Sequence, residues 1–219
     1  MVRAAIFDLD GTLVDSNDLH ADAWQETFRH FGKEFPREEL RSQIGKGGDQ
    51  YLPVFLDPVE LQKIGPAVEK YRSALFKQQY LERVRPFPQV RELFERLRAD
   101  DKKIALASSG NAAEIEHYVK LADIAGLIET QTTKSDVRHS KPEPDVFLSA
   151  LSALDVAPSE AIVIGDTPYD VDAAKKAGLP TIGLLCGGFP EDELRASGAV
   201  AIYRDVADLL ASYHRSPLA

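Results

Sequence analysis

Short apolar runs alternate with longer helix-periodic stretches along most of this chain. The runs lie at residues 4–7, 103–107, 161–164, 179–185 and 199–202. Each has the length of a strand buried on both faces. Four of the five end in polar or glycine-rich turns: Asp-Leu-Asp-Gly, Ser-Ser-Gly, Gly-Asp and Cys-Gly-Gly. Between the runs, Leu93 and Leu97, Ile115 and Val119, Leu148 and Leu151, and Val171 and Ala174 recur at helical spacing. Gly178 and Pro180 close the helix that precedes the fourth run. This alternation predicts an α/β fold, a Rossmann-like doubly wound parallel sheet with right-handed crossovers. The ligand site of such a sheet lies outside the carboxyl ends of its strands.

Residues 16–85 break the alternation. His20, Trp24, Phe28 and Phe31 form one helical stripe. Leu61, Ile64, Val68, Tyr71 and Leu75 form another, which Gly65-Pro66 is expected to interrupt. Residues 85–88, Arg-Pro-Phe-Pro, read as an extended linker. The predicted organisation is a core from residues 1–15 and 86–219, with a helical domain of residues 16–85 inserted after the first strand. Hinges are expected near 14–17 and 85–88.

Composition narrows the function. The chain has 219 residues, 44% hydrophobic and 28% charged, with a formal net charge of −9. That surface should repel nucleic acid and anionic membranes. One cysteine, Cys186, excludes an internal disulfide framework, and its apolar neighbours suggest a core residue. No apolar run approaches the ~20 residues that span a bilayer. A cytoplasmic protein, acting as a monomer or weak homodimer, is expected.

Four segments carry candidate chemistry. The first strand delivers Asp8 at its end, and Asp10-Gly11-Thr12 follows at once. Two carboxylates so close can bind a divalent metal or divide into nucleophile and acid/base. Ser108 and Ser109, with Gly110 and Asn111, offer hydroxyls and backbone N–H groups to an anion; a helix cap is the plainer reading. Lys141 stands before Pro142 and a helical pattern, where the macrodipole disfavours a cation unless an anion joins it. Asp166 ends the third run, and Asp170 falls on the first turn of the next helix. They read as metal ligand plus supporting acid, or as a helix cap.

In order and spacing the four segments resemble those of the haloacid dehalogenase superfamily. The helical insert resembles a C1-type cap of the phosphoglycolate-phosphatase and β-phosphoglucomutase kind. The resemblance implies that Asp8 is a nucleophile forming an aspartyl-phosphate and Asp10 the acid/base. It implies Mg²⁺ held by Asp8, Asp10 through its backbone carbonyl, Asp166 and Asp170. Ser108, Lys141 and backbone N–H groups of Leu9, Asp10 and Ser109 would hold the phosphoryl oxygens. The implied partner is a small phosphorylated metabolite. Charge supports a countercation: two like charges 4 Å apart cost about 4 kcal/mol at an effective dielectric of 20.

Selectivity is expected from the cap. His20, Lys46, Gly47 and Arg72, with Asn111 on the core side, are the candidates; cap packing suits His20 equally, a flexible inter-helix turn is the other reading of Lys46 and Gly47, and a solvated helix arginine is the plainer reading of Arg72. A β-phosphoglucomutase-like mutase remains an alternative. Against it, Gly47-Gly48 stands where that enzyme has an arginine, and Gly165 where it has an acid. A phospho-accepting signalling module is the alternative of another class, but it has no counterpart of the insert. A dehalogenase would not need the proton of Asp10. A phosphonatase would need a Schiff-base lysine, for which only the positions of Lys46 and Lys70 speak.

Overall fold

The computed structural model describes residues 2–219. Its strands are β1 (Ala4–Phe7), β2 (Val14–Asp15), β3 (Arg85–Pro86), β4 (Lys103–Ala107), β5 (Thr130–Thr132), β6 (Ala161–Gly165), β7 (Thr181–Leu184) and β8 (Ala201–Tyr203). Six of them form one sheet in the order β5-β4-β1-β6-β7-β8, every pairing parallel. Strand β1 is central because all four of its residues are small or apolar and fully buried. Its alternation splits them between the two faces. Ala5 and Phe7 enter one apolar cluster with Phe94, Leu97 and Ile115; Ala4 and Ile6 enter the other with Phe147, Ala150 and Ala174.

Helices α5 (Val90–Ala99), α6 (Ala112–Leu121), α7 (Asp145–Leu154), α8 (Pro168–Lys176), α9 (Glu191–Ser197) and α10 (Val206–Ala211) accompany this sheet. The doubly wound α/β architecture predicted from the apolar runs is therefore present. Strand β5 was not foreseen. Its sequence, Thr-Gln-Thr, carries no apolar run, because an edge strand has only one partner to satisfy.

The segment after β2 folds into α1 (Asn17–His30), α2 (Arg37–Ser42), α3 (Gly48–Phe55) and α4 (Pro58–Leu75). These helices bury a third apolar cluster, including Trp24, Phe28, Leu40, Tyr51 and Val68. Trp24 stacks on Tyr51 at 4.4 Å, and Phe28 meets the rings of Phe35 and Phe55 at 4.9 and 5.5 Å. One sequence expectation needs correction here. Gly65-Pro66 does not interrupt the second stripe: α4 runs through both residues. Pro66 forfeits one intrahelical bond, but Gly65 and Val68 are buried, and Asp57 with Glu60 closes a capping box at the start. The stretch at 85–88 is extended as expected, and Arg85–Pro86 also pairs antiparallel with Val14–Asp15, so the two chain passages leaving the core are tied together.

The helical layer lies over the carboxyl ends of the sheet strands. Tyr169 donates to the Ser42 carbonyl at 2.7 Å, Ser140 N–H donates to Asp49 at 3.0 Å, and Lys134 pairs with Glu69 at 2.7 Å. Among the described residues no helix is long and apolar enough to cross a membrane. Phe28 is fully buried amid three aromatic rings, so Phe28→Ala should cost about 3–5 kcal/mol in urea unfolding. A loss under 1 kcal/mol would mean that the third cluster adds little to stability.

Candidate active site

Strand β1 ends at Phe7, and the next residue is Asp8. Its N–H donates to the Ile164 carbonyl at 2.9 Å, which continues the strand register by one step and fixes where the carboxyl points. The chain then turns sharply. Gly11 sits at φ 78°, and a Cβ there would fall 2.3 Å from Asp166 Oδ2 and 2.1 Å from Asn17 Nδ2. On the far side, a Cβ on Gly187 would lie 1.7 Å from the same Asp166 oxygen. Bare backbone on both sides thus makes the slot for Asp166.

Asp166 follows β6. It accepts from Thr12 Oγ1 at 2.9 Å and from Asn17 Nδ2 at 2.8 Å. Asp170 is the third residue of α8 and closes a capping box with Thr167, whose Oγ1 donates to it at 2.7 Å. Lys141 is fully buried. Its Nζ donates to Asp8 Oδ1 and, at 2.7 Å, to Asp170 Oδ1. The solvated-lysine reading of that position is excluded. Carboxylate oxygens of Asp8, Asp166 and Asp170 lie within 4.8 Å of one another, all buried.

The electrostatics of this cluster are incomplete. Burial pushes the Asp8 carboxyl up to about 7; Lys141 opposes the rise, and Asp170 and Asp10 add to it. Burial also drives Asp166 well above the carboxylate range, with Asp170 and Asp8 reinforcing it. One lysine does not neutralise three buried acids. An all-oxygen donor set with surplus negative charge fits a hard divalent cation, which Asp8, Asp166 and Asp170 would hold.

Asp10 stands apart from the cluster. It accepts from Ser16 Oγ at 2.6 Å and bonds His20 Nε2 at 2.8 Å. Burial alone would raise its carboxyl; His20, Ser16 and Arg72 outweigh that and hold it at about 2. After β4, Ser108 Oγ accepts from the Gly110 N–H at 3.0 Å. The buried Ser109 Oγ has no partner among the described residues. Asn111 Oδ1 caps α6 by accepting from the Glu114 N–H at 3.0 Å.

The sequence profile of the haloacid dehalogenase-like hydrolases matches residues 5–184. The chain belongs to that family. It is 27% identical to the phosphorylated carbohydrates phosphatase of Thermotoga maritima over 93% of this chain and 94% of that one. It is 32% identical to the pyrophosphatase PpaX of Bacillus velezensis over 84% of this chain and 83% of that one. The crystal structure of a hydrolase from Pseudomonas syringae superposes with a TM-score of 0.90 at 28% identity, over 97% of this chain and 98% of that chain.

In this haloacid dehalogenase-like hydrolase the helical layer contributes directly to the pocket. A cavity of about 420 Å³ opens beside Asp8, Asp10 and Ser108, and His20, Lys46, Gly47, Arg72 and Asn111 all line it. His20 does more than pack: it bridges α1 to Asp10. Arg72 is not a solvated arginine. Its guanidinium contacts His20 Nδ1 and lies over the rings of Trp24 and Phe76 at 5.3 and 4.9 Å. Lys46 bonds Gln43 Oε1 and lies 4.6 Å over the Tyr169 ring, and burial lowers its pKa. Sequence reasoning did not single out Ser16, Asn17, Thr12 as an Asp166 donor, or Glu114. Asn17 and Ser16 directly follow the first motif, but nothing in their type separates them from helix-capping residues.

Two outcomes follow for the site. Lys141→Ala should destabilise the metal-free protein by about 3–5 kcal/mol, because it strands two buried carboxylates. Calorimetric Mg²⁺ titration should show proton release and an affinity that falls as pH drops from 8 to 6. Asp8 holds a proton below about 7 that a cation must displace, and Asp166 adds to the same trend. An affinity unchanged over that pH range would place the cation elsewhere.

Proposed function

We propose that this haloacid dehalogenase-family phosphatase hydrolyses a small phosphate monoester through an aspartyl-phosphate on Asp8, with Mg²⁺ as cofactor. The carrying observation is the division of labour between two carboxyls two residues apart. Asp8 lies in the buried acidic cluster, gripped by Lys141, while Asp10 is turned to the cavity side and held by Ser16 and His20. The names of the relatives, a carbohydrate-phosphate phosphatase and a pyrophosphatase, support phosphate transfer to water and leave the ester open.

Asp8 attacks phosphorus, and the bond to the leaving oxygen breaks. Lys141 Nζ and Ser108 Oγ hold phosphoryl oxygens, with backbone N–H groups of Leu9, Asp10 and Ser109. Mg²⁺ would be held by Asp8, the Asp10 carbonyl, Asp166 and Asp170, and would offset the charge gathered between the carboxylates and the phosphate. Asp10 supplies a proton to the leaving oxygen and later takes one from the water that splits the aspartyl-phosphate. In the free enzyme Asp10 is anionic, which suits the second task. For the first, Asp10 takes up a solvent proton as the substrate's negative charge arrives beside it and raises its pKa, and passes that proton to the leaving oxygen. Residues 16–85 act as a cap whose closing brings His20, Lys46, Gly47 and Arg72 over the core, and Asn111 faces them. The β2–β3 pair is the hinge.

Asp8→Asn should abolish turnover on every ester. Asp10→Asn should discriminate by leaving group: about 10²–10⁴-fold loss of kcat on an alkyl phosphate, and less for release of p-nitrophenol. With p-nitrophenyl phosphate a burst should precede slow turnover, because water activation is lost and the aspartyl-phosphate persists. Equal, small losses on both esters without a burst would remove Asp10 from this role.

A further inference from the structure

Glu114 is the third residue of α6, and its side chain is only 5% exposed. It lines the same cavity as Asp10 and Arg72. Asn111 fixes the turn that carries it, and an acid in a first helical turn is favoured by the helix dipole. Yet Glu114 Oε1 has no hydrogen-bond partner among the described residues. Arg72 Nη1, the nearest cation, stops at 3.9 Å, beyond hydrogen-bond reach. Leaving a buried carboxyl oxygen unpaired costs free energy, so a position built this way is waiting for a donor.

The neighbouring groups say which donor. A methyl on Gly110 would lie 3.7 Å from Glu114 Oε2 and 3.9 Å from Asp10 Oδ2. Glu114 and Asp10 thus present carboxyl oxygens to the same side of Gly110, within 4 Å of one point on the cavity wall. Among the described residues, the buried polar side-chain atoms of the cavity lining without partners are Glu114 Oε1, Arg72 Nε and Ser109 Oγ. That set combines an acceptor with donors. A hydroxyl both donates and accepts; a carboxylate or a second phosphate offers only acceptors. Several cations of the lining are already engaged. Lys134 pairs with Glu69, Lys46 is tied to Gln43 and Tyr169, and the Arg72 guanidinium is tied to His20. Lys70 stands exposed at the rim.

We propose that Glu114 is a specificity-determining residue: it accepts a hydrogen bond from a hydroxyl near the ester carbon, so the enzyme takes polyhydroxylated alkyl phosphates and turns away anionic leaving groups. This rests on the phosphatase reading above and deepens it. A hydrogen bond to a charged acceptor discriminates by roughly ten- to a hundred-fold between a hydroxylated ligand and its hydroxyl-free analogue.

The test compares kcat/KM with Mg²⁺ for glycerol 1-phosphate, propyl phosphate and phosphoglycolate, in the wild type, Glu114→Ala and Glu114→Gln. The wild type should prefer glycerol 1-phosphate to propyl phosphate by about ten-fold or more. Glu114→Ala should erase that ratio, chiefly through KM. Glu114→Gln keeps the shape and an acceptor but removes the charge, so it should raise relative activity on phosphoglycolate several-fold. Melting temperatures of both variants report folding, and the Gln variant carries the test if the Ala variant fails to fold. Substrate ratios unchanged in the variants, or a wild type that prefers phosphoglycolate, would overturn the role of Glu114 while leaving the phosphatase intact. A wild type that turns over none of the three esters, nor p-nitrophenyl phosphate, would overturn both readings.

Discussion

A fully buried lysine between two carboxylates organises this molecule. Lys141 reaches from the loop before α7 to Asp8 after β1 and Asp170 on α8, and so joins three parts of the chain far apart in sequence. Without it the central strand would end in uncompensated charge. With it the cluster is still short of countercharge, since Asp166 adds a third buried acid. That shortfall is one that a bound cation at the strand ends would offset. It also explains why so much bare backbone surrounds Asp166: any side chain at Gly11 or Gly187 would occupy its slot.

The helical layer is coupled to the core carboxyls at two points, Asn17 of α1 on Asp166 and His20 on Asp10. His20 from α1 bonds the Asp10 carboxyl, Arg72 from α4 touches the other nitrogen of the same ring, and Phe76 stacks on that ring at 4.1 Å. The position of α1 and α4 thus sets both the charge state and the orientation of a core carboxyl. Pairing of β2 with β3 holds the two crossing points together as one short ribbon rather than two independent strands.

How much of this was legible in the sequence follows from where each signal is written. The central strands were readable because burial on both faces leaves an unbroken apolar run, as in residues 4–7 and 161–164. The edge strand Thr130–Thr132 was not, because nothing apolar is required of it. Asp8, Asp10 and Asp166 could be picked out because they follow such runs, Asp170 because it falls on the next helix's first turn, and Lys141 because it stands before a proline and a helix start; the structure brings Asp8, Lys141, Asp166 and Asp170 into one cluster with Asp10 beside it. Arg72 and Glu114 were harder. Each lies on a helix whose exposed-looking positions carry many charges, and only the seam between the two helices turns them toward each other. A one-dimensional pattern holds no record of that seam. Gly65-Pro66 misled for a related reason: local propensity argued for a break, and burial of Gly65 and Val68 overrode it.

The low pKa of Asp10 bears on both half-reactions. A carboxyl at about 2 is a poor acid by itself at neutral pH and a ready hydrogen-bond acceptor. Catalysis of both half-reactions needs a group that gives a proton to an alkoxide and then removes one from water. A lone carboxyl with pKa near 7 would do both moderately. In the proposed reaction a carboxyl that is anionic in the free enzyme would serve the second half directly, and would serve the first by taking a solvent proton when the substrate's negative charge arrives beside it. The shift at Asp8 is the opposite. Without a cation its carboxyl holds a proton up to about 7 and is a weak nucleophile. Ionising it by cation binding ties nucleophilicity to the loaded site. Burial and partners thereby shift two aspartates on one turn in opposite directions, and in the metal-free protein those shifts oppose the proposed roles, so a bound cation is what would ionise Asp8 for attack.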